Sequence, residues 1–293
     1  MYNILNKIFV IFYNRPCREG KLFEIAMKKT LIERIPILLP EEIGRLCDGA
    51  RIYDSSSSPE AKVYFIDRDG GYYLKSSAAG SLGREALMTD YFHAKGLGAE
   101  LIYYLSGEGD LMLTRAVSGE DCTHRAYLDE PKRLAALMGD RLRALHELDF
   151  SDCPVKDRTG EMISAAEKNY RTDNYSKEHF PDSFGYASGE EAYRALSERR
   201  HLLKNECLIH GDYCLPNIML SDWNFSAFID LGNAGTGDRH IDLFWGRWTI
   251  GFNLGLIGKS DGEKYSEYFF DSYGRDKIDD ERLLAVAAAE VLL

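Results

Sequence analysis

Apolar and polar positions over residues 52–117 alternate in short runs broken by turn residues. The run 61–66 predicts a strand, Asp69-Gly70-Gly71 a turn, and 72–75 the antiparallel return. Residues 82–95 change to a helical period, with Leu82, Ala86, Leu87, Tyr91 and Phe92 as the predicted apolar set and Gly96 and Gly98 as its stop. The runs 101–105 and 111–117 predict a second hairpin around Gly107 and Gly109. Beyond residue 117 the pattern is mainly helical. Pro131 opens a run in which Leu134, Leu137, Met138, Leu142, Leu145 and Leu148 form one stripe. A more polar helix is predicted at 189–204 and an Ala-rich one at 279–293. Residues 207–230 break this rhythm: two short apolar runs, 207–209 and 225–230, flank a loop.

Strands followed by helices predict an α+β fold. The expected division is an amino-terminal extension at 1–30, a β-rich lobe at 31–116 and a helical lobe at 117–293. Within the extension, residues 4–12 are apolar but too few to span a bilayer, and no small-residue cleavage site follows them. Met27 is the expected natural start. No membrane is expected as a partner.

Composition narrows the function. The 293 residues carry 36 Lys plus Arg against 47 Asp plus Glu, a formal charge of −11, which disfavours sequence-blind nucleic-acid binding and mildly attracts cations. The six cysteines form no CxxC pair, so zinc and dithiol chemistry lack support, and reduced thiols in a cytoplasmic protein are expected. His124, His179 and His201 have no ligand-like partner nearby in sequence. Trp245 and Trp248 are spaced as a core-facing helix pair, and Arg247 between them reads as a surface salt-bridge residue.

The chemistry concentrates in Ile209-His210-Gly211-Asp212-Tyr213-Cys214-Leu215-Pro216-Asn217 and Phe228-Ile229-Asp230-Leu231-Gly232. Phosphoryl transfer needs phosphate charge neutralised and an attacking hydroxyl held in line. Magnesium prefers a few hard oxygen ligands. Asn217 offers an amide oxygen and Asp230 a carboxylate, while Asp212, five residues before Asn217, can accept or orient a hydroxyl proton. Upstream, Lys75 ends a predicted strand and Glu85 lies on the next helix, where an ion pair would set Lys75 against nucleotide phosphates. This order of Lys, Glu, Asp, Asn and Asp-x-Gly is the kinase layout, with HGDxxxxN in place of HRDxxxxN. The phosphate loop lacks GxGxxG; Ser58 and the amides of the 54–61 loop are its candidates, in competition with a mobile hairpin tip.

Together, HGDYCLPNIML and FIDLGNAGTGDRHIDL at 210–243, LRALHELD at 142–149, SPEAKVY at 58–64, YLK at 73–75 and REA at 84–86 resemble bacterial aminoglycoside phosphotransferases of the 3′ group, over about residues 45–293. The resemblance implies a bilobal protein-kinase-like fold and a magnesium-dependent kinase using ATP, with GTP left open. Its implied acceptor is a cationic aminoglycoside, phosphorylated at the 3′-hydroxyl, which confers antibiotic resistance. It further implies Asp212 as catalytic aspartate, Asn217 and Asp230 as metal ligands, and Lys75 with partner Glu85 on the nucleotide. Backbone groups at Thr114, Arg115 and Ala116 would meet adenine, Asp242 would steady the catalytic loop, and His210 would be structural. Glu290 remains for the substrate. Ala289, Phe252-Asn253 and Asn233 stand where the resemblance leads one to expect an Asp, an acidic pair and an Arg. A monomer or weak dimer is expected. The rival readings are a kinase of another small hydroxylated molecule and a nucleotide-binding module without catalysis.

Overall fold

Strand pairing follows the alternation closely. The computed structural model describes residues 29–57, 61–177, 184–259 and 261–293. The apolar run 4–12, Met27, Ser58 and His179 lie outside them. The chain passes through β1 (Thr30–Ile32), α1 (Glu41–Cys47), β2 (Arg51–Asp54), β3 (Ala61–Asp67), β4 (Tyr72–Ala78), α2 (Gly83–Ala94), β5 (Leu101–Ser106), β6 (Gly109–Arg115) and β7 (Glu120–Asp121). It continues through α3 (Arg125–Leu128), α4 (Pro131–His146), α5 (Arg158–Arg171), α6 (Gly189–Arg199), β8 (Cys207–Ile209), β9 (Ile218–Ser221), β10 (Asn224–Phe228) and β11 (Gly235–Gly237). The last helices are α7 (Arg239–Leu256), α8 (Gly262–Tyr273) and α9 (Asp280–Glu290).

Internal contacts divide the described residues into two units, 29–124 with 216–232 and 125–215 with 233–293. The first unit holds a six-stranded sheet in the order β1-β2-β3-β4-β6-β5 and a three-stranded sheet β10-β9-β7. All six strands of the larger sheet run antiparallel to their neighbours. One face of that sheet is apolar: Tyr64, Ile66, Leu74 and Leu113 pack with Ile43 of α1. Side chains alternate along a strand, so Lys75, next to Leu74, belongs to the other face. There its register partner Met112 packs with Leu82 and Ala86 beside α2.

Two expectations change in this unit. Leu87 is 47% exposed, and the buried face of α2 is Glu85, Ala86, Met88, Thr89 and Phe92. A buried acid and threonine disguise that stripe in a count of apolar residues alone. Residues 218–221 form strand β9 within the segment read as a loop; Ile218-Met219-Leu220 is buried throughout and therefore shows no alternation. The stop of α2 holds: Gly96 takes φ +71°, and the Leu97 amide reaches back to the Phe92 carbonyl at 2.8 Å, a Schellman closure.

In the second unit the predicted stripe of α4 supplies buried Leu134, Met138, Leu142 and Leu145. The helix approaches α8 so closely that a Cβ on Gly139 would stand 2.3 Å from the Phe269 carbonyl oxygen. Strands β8 and β11 pair antiparallel. No helix among the described residues is long and apolar enough to cross a membrane.

Candidate active site

In the first unit, Lys75, Glu85 and Asp230 come together. Lys75 Nζ donates to Glu85 Oε1 and Oε2 at 2.9 and 2.7 Å, and to Asp230 Oδ1 at 2.8 Å. The lysine and Glu85 side chains are 19% and 8% exposed, whereas Asp230 is 51% exposed. Burial alone would lower the ammonium pKa; the charges of Asp230 and Glu85 and their hydrogen bonds outweigh it and raise it above the ordinary value. The lysine is therefore a fixed cation with one buried and one accessible acidic partner.

The frame around this triad explains its geometry. Asp110 on β6 accepts the Gly80 and Leu82 amides at 2.8 and 2.7 Å, pinning the entry of α2, where Leu82 itself supplies no cap. That fixes Glu85, in the first turn, opposite Lys75. Sequence reasoning missed Asp110; a lone acid opening an apolar strand was its only signal. Phe228 donates its amide to the Leu97 carbonyl at 2.8 Å and its ring meets Phe92, which ties the approach to Asp230 to the end of α2. Asp230 adopts φ +58°, a left-handed conformation that aspartate tolerates better than most residues. The Ile229 amide donates to the Asn217 carbonyl at 3.0 Å, so the backbones leading to the two expected metal ligands are joined. Asn217 itself is buried.

The segment expected to meet adenine is held by the sheet and its neighbours. Thr114 pairs with Tyr73 and Leu101 inside the sheet, the Arg115 amide donates to Glu100, and the Ala116 amide donates to Gly71 at 3.0 Å. The Arg115 and Ala116 amides are thus engaged by backbone carbonyls. In the loop after β2, Ser55 is buried with its amide on the Val63 carbonyl, and Ser56 Oγ accepts the Val63 amide, so this stem is anchored rather than a free tip.

In the second unit, Asp242 organises the loop that carries Asp212. Its Oδ2 accepts the His210 amide and its Oδ1 the Gly211 amide, both at 2.7 Å. His146 Nε2 lies 3.1 Å from Oδ2, and His146 Nδ1 is 2.8 Å from the Tyr273 hydroxyl. A carboxylate only accepts, so Nε2 carries a hydrogen directed at Oδ2. Arg239 donates to the same hydroxyl at 3.2 Å. Gly211 has φ +79°, and a Cβ there would stand 2.1 Å from the Asn233 carbonyl oxygen, so the residue before Asp212 must be glycine. His210 is fully buried and its Nδ1 accepts the Asp212 amide at 3.3 Å, the supporting place expected of it.

Asp212 is half-buried. Around it lie Cys214, whose side chain hydrogen-bonds Asp212 and Thr249, and Glu290. Burial pushes the Glu290 carboxyl up to about 7; the hydrogen bond from Trp245 Nε1 at 3.2 Å opposes the rise and the Asp212 charge adds to it. The expected arginine position, Asn233, instead receives Arg158 from α5: Nε on its carbonyl at 3.0 Å and Nη2 on its side chain at 3.1 Å. Arg247, read as a surface residue, is buried over the Phe270 ring, and Trp245 and Trp248 are half-buried rather than core.

Comparison with known proteins places this machinery. A model of the phosphotransferase enzyme family matches residues 53–284. A Lactococcus lactis protein named "Probable aminoglycoside 3'-phosphotransferase" is 47% identical over 253 residues, 86% of this chain and 94% of the relative. The chain belongs to the phosphotransferase enzyme family. Its kinship with that relative agrees with the resemblance carried by HGDYCLPN and FIDLGN. Two solved structures share the protein-kinase-like fold. An aminoglycoside-3′-phosphotransferase of type VIII gives a TM-score of 0.69 at 23% identity, covering 81% of this chain and 91% of that one. An aminoglycoside phosphotransferase of Streptomyces rimosus in complex with ADP and streptomycin gives 0.64 at 23% identity, covering 79% and 90%.

One acidic cluster in this phosphotransferase is not a metal centre. Glu206, Asp238 and His240 approach one another, but Arg282 donates to Glu206 and Asp238 at 2.6 Å each and Arg239 to Glu206 at 2.6 Å. His240 Nε2 accepts the Asp279 amide, so its Nδ1–H donates to Asp238 at 2.8 Å and neither nitrogen is open to a cation. The cluster joins the start of α7 to α9.

Proposed function

We propose that the protein transfers the γ-phosphoryl group of ATP to the 3′-hydroxyl of an aminoglycoside in the cytoplasm and so confers resistance to that antibiotic. The observation that carries the reading is the Lys75 ammonium held between buried Glu85 and accessible Asp230. In this role Lys75 binds nucleotide phosphates and Glu85 keeps it aimed. Asn217 and Asp230 are the magnesium ligands. An amide oxygen and an accessible carboxylate on adjoined backbones are the hard donors that this ion prefers. Bound magnesium would neutralise phosphate charge. Asp212 accepts or orients the acceptor's hydroxyl proton, from a loop whose two preceding amides are fixed by Asp242. Glu290 offers its carboxylate to an acceptor ammonium. Backbone groups in the Thr114–Ala116 segment would meet the base.

The test is a coupled ADP-release assay with kanamycin, neomycin and magnesium-ATP. Turnover is expected with both, and Asp212→Ala should lower kcat by about 10^3-fold while nucleotide binding persists. Absence of turnover on every aminoglycoside rejects the acceptor, and survival of most activity in the variant rejects the role of Asp212. A second reading, a kinase of another small hydroxylated molecule, draws on Phe252-Asn253 and Ala289 where acidic residues were expected. Turnover of a sugar or amino alcohol in preference to kanamycin would favour it.

A further inference from the structure

The loop that carries Asp212 is held from one side by Asp242. A second hold comes from Arg158, the first residue of α5. Its Nε donates to the Asn233 carbonyl at 3.0 Å and its Nη2 to the Asn233 side-chain oxygen at 3.1 Å, so one guanidinium grips both oxygens of one residue. The same carbonyl is the surface on which Gly211 rests: a Cβ on Gly211 would stand 2.1 Å from its oxygen and 2.6 Å from its carbon. Gly211 is thus fixed through its amide by Asp242 and through its α-carbon by Asn233, and Asp212 is the next residue. Arg158 has little freedom of its own. Its side chain is 13% exposed, its Nη1 pairs with Glu161 one turn along, and its stem lies so close to β11 that a Cβ on Gly235 would stand 2.7 Å from Arg158 Cγ. The chain on either side of it is tied to the same strand. The Thr236 amide donates to the Val155 carbonyl at 2.9 Å, the Asp157 amide to Thr236 Oγ1 at 3.1 Å, and the Asp238 amide to Thr159 Oγ1 at 2.8 Å. Strand β11 pairs with β8, whose last residue, Ile209, leads into His210.

Asn233, by contrast, is exposed, so burial does little to fix it and the fork carries its position. A planar guanidinium holds two acceptors in one geometry, which an ammonium on a flexible stem does not. We infer that Arg158 is a positioning residue for phosphoryl transfer: it fixes the Asn233 carbonyl, which sets Gly211 and so the placement of Asp212. This rests on the proposed function, in which Asp212 handles the acceptor's hydroxyl proton, and adds the residue that aims it. Proton transfer and in-line attack depend steeply on where the carboxylate stands, whereas holding the two substrates does not. Losing the fork therefore acts on kcat and spares KM. Its effect on stability is small, because water replaces hydrogen bonds to an exposed residue.

Steady-state kinetics of the full chain with kanamycin and magnesium-ATP, beside urea denaturation, test this. Arg158→Ala should lower kcat about tenfold and leave both KM values within about twofold. Its urea midpoint should stay at the wild-type value. Guanidinium ion at millimolar, non-denaturing concentration should restore part of the lost kcat in this variant and leave wild type unaffected. Arg158→Lys keeps the charge and most of the stem without the fork. Its kcat should also fall, by about threefold or more, which reads the inference even where the alanine variant folds poorly. Arg171→Ala, which removes an exposed pair with Glu167 on the same helix, should match wild type. Wild-type kcat in both Arg158 variants overturns the positioning role and leaves the proposed function standing. A fall in kcat that guanidinium does not restore, and that accompanies a lowered urea midpoint, makes Arg158 a scaffold residue and overturns the role equally. A wild-type protein that transfers phosphate to no hydroxyl acceptor overturns both.

Discussion

Asp230 and Asp242 are two aspartates with opposite surroundings. Asp242 is fully buried and accepts two backbone amides and a histidine N–H, so its lone pairs are committed to holding a loop. Asp230 is half exposed and shares Lys75 with Glu85, so its carboxylate can exchange partners. A closed network fixes backbone geometry and resists change, because every donor left behind would be buried without a partner. An open ion pair contributes little to stability but remains free to meet a ligand. The difference separates residues that build a site from residues that act in it.

The sharpest way to break that distinction is to neutralise each aspartate. Asp230→Asn keeps the left-handed backbone accessible and removes the charge. Phosphoryl transfer should fall by about 10^3-fold, while urea denaturation should register a change within about 1 kcal/mol. Asp242→Ala should do the reverse in kind. It strands the His210 and Gly211 amides and the His146 N–H, and should cost about 3 kcal/mol in the same denaturation measurement. A destabilised Asp230→Asn, or an Asp242→Ala of wild-type stability, would erase the contrast.

The sequence reading located the open group more readily than the closed one. Lys75, Glu85, Asn217 and Asp230 stand in the order of the kinase layout, and three of them, Lys75, Glu85 and Asp230, meet through their side chains. Asp242 entered only through resemblance, and its partner His146, with Tyr273 and Arg239 beyond it, went unnoticed, because a network closed by tertiary contacts over 96 residues leaves no local pattern. The hairpins β3–β4 and β5–β6 were legible because alternation and Gly turns are local signals, whereas the pairings of β2 with β3 and of β4 with β6 were not. Strand β9 and the buried face of α2 were not. One lacks alternation, and the other depends on Glu85, which is buried only because Lys75 partners it. Arg158 reaching Asn233 shows the same limit, since a guanidinium supplied 75 residues away cannot be found by motif position.

Glu290 sharpens the comparison from between its extremes, with the smallest effect. It is half-buried where Asp242 is fully buried, and it accepts a hydrogen bond from the Trp245 indole. Burial raises its carboxyl to about 7, so the folded protein holds this proton more tightly than the unfolded chain does. The sign follows. As pH rises from the ordinary carboxylate range through about 7, the unfolded state ionises first and Glu290 progressively subtracts from stability, levelling off above that point. Glu290→Gln should remove this slope, so the variant gains on wild type in denaturation measured at pH 8 relative to pH 5. Ionisation also creates the charge that an acceptor ammonium would meet. Kanamycin KM in wild type should therefore fall severalfold relative to Glu290→Gln as pH crosses about 7, with the comparison cancelling titration of the antibiotic's own amines. Parallel pH profiles for the two proteins would mean that Glu290 is as closed as Asp242.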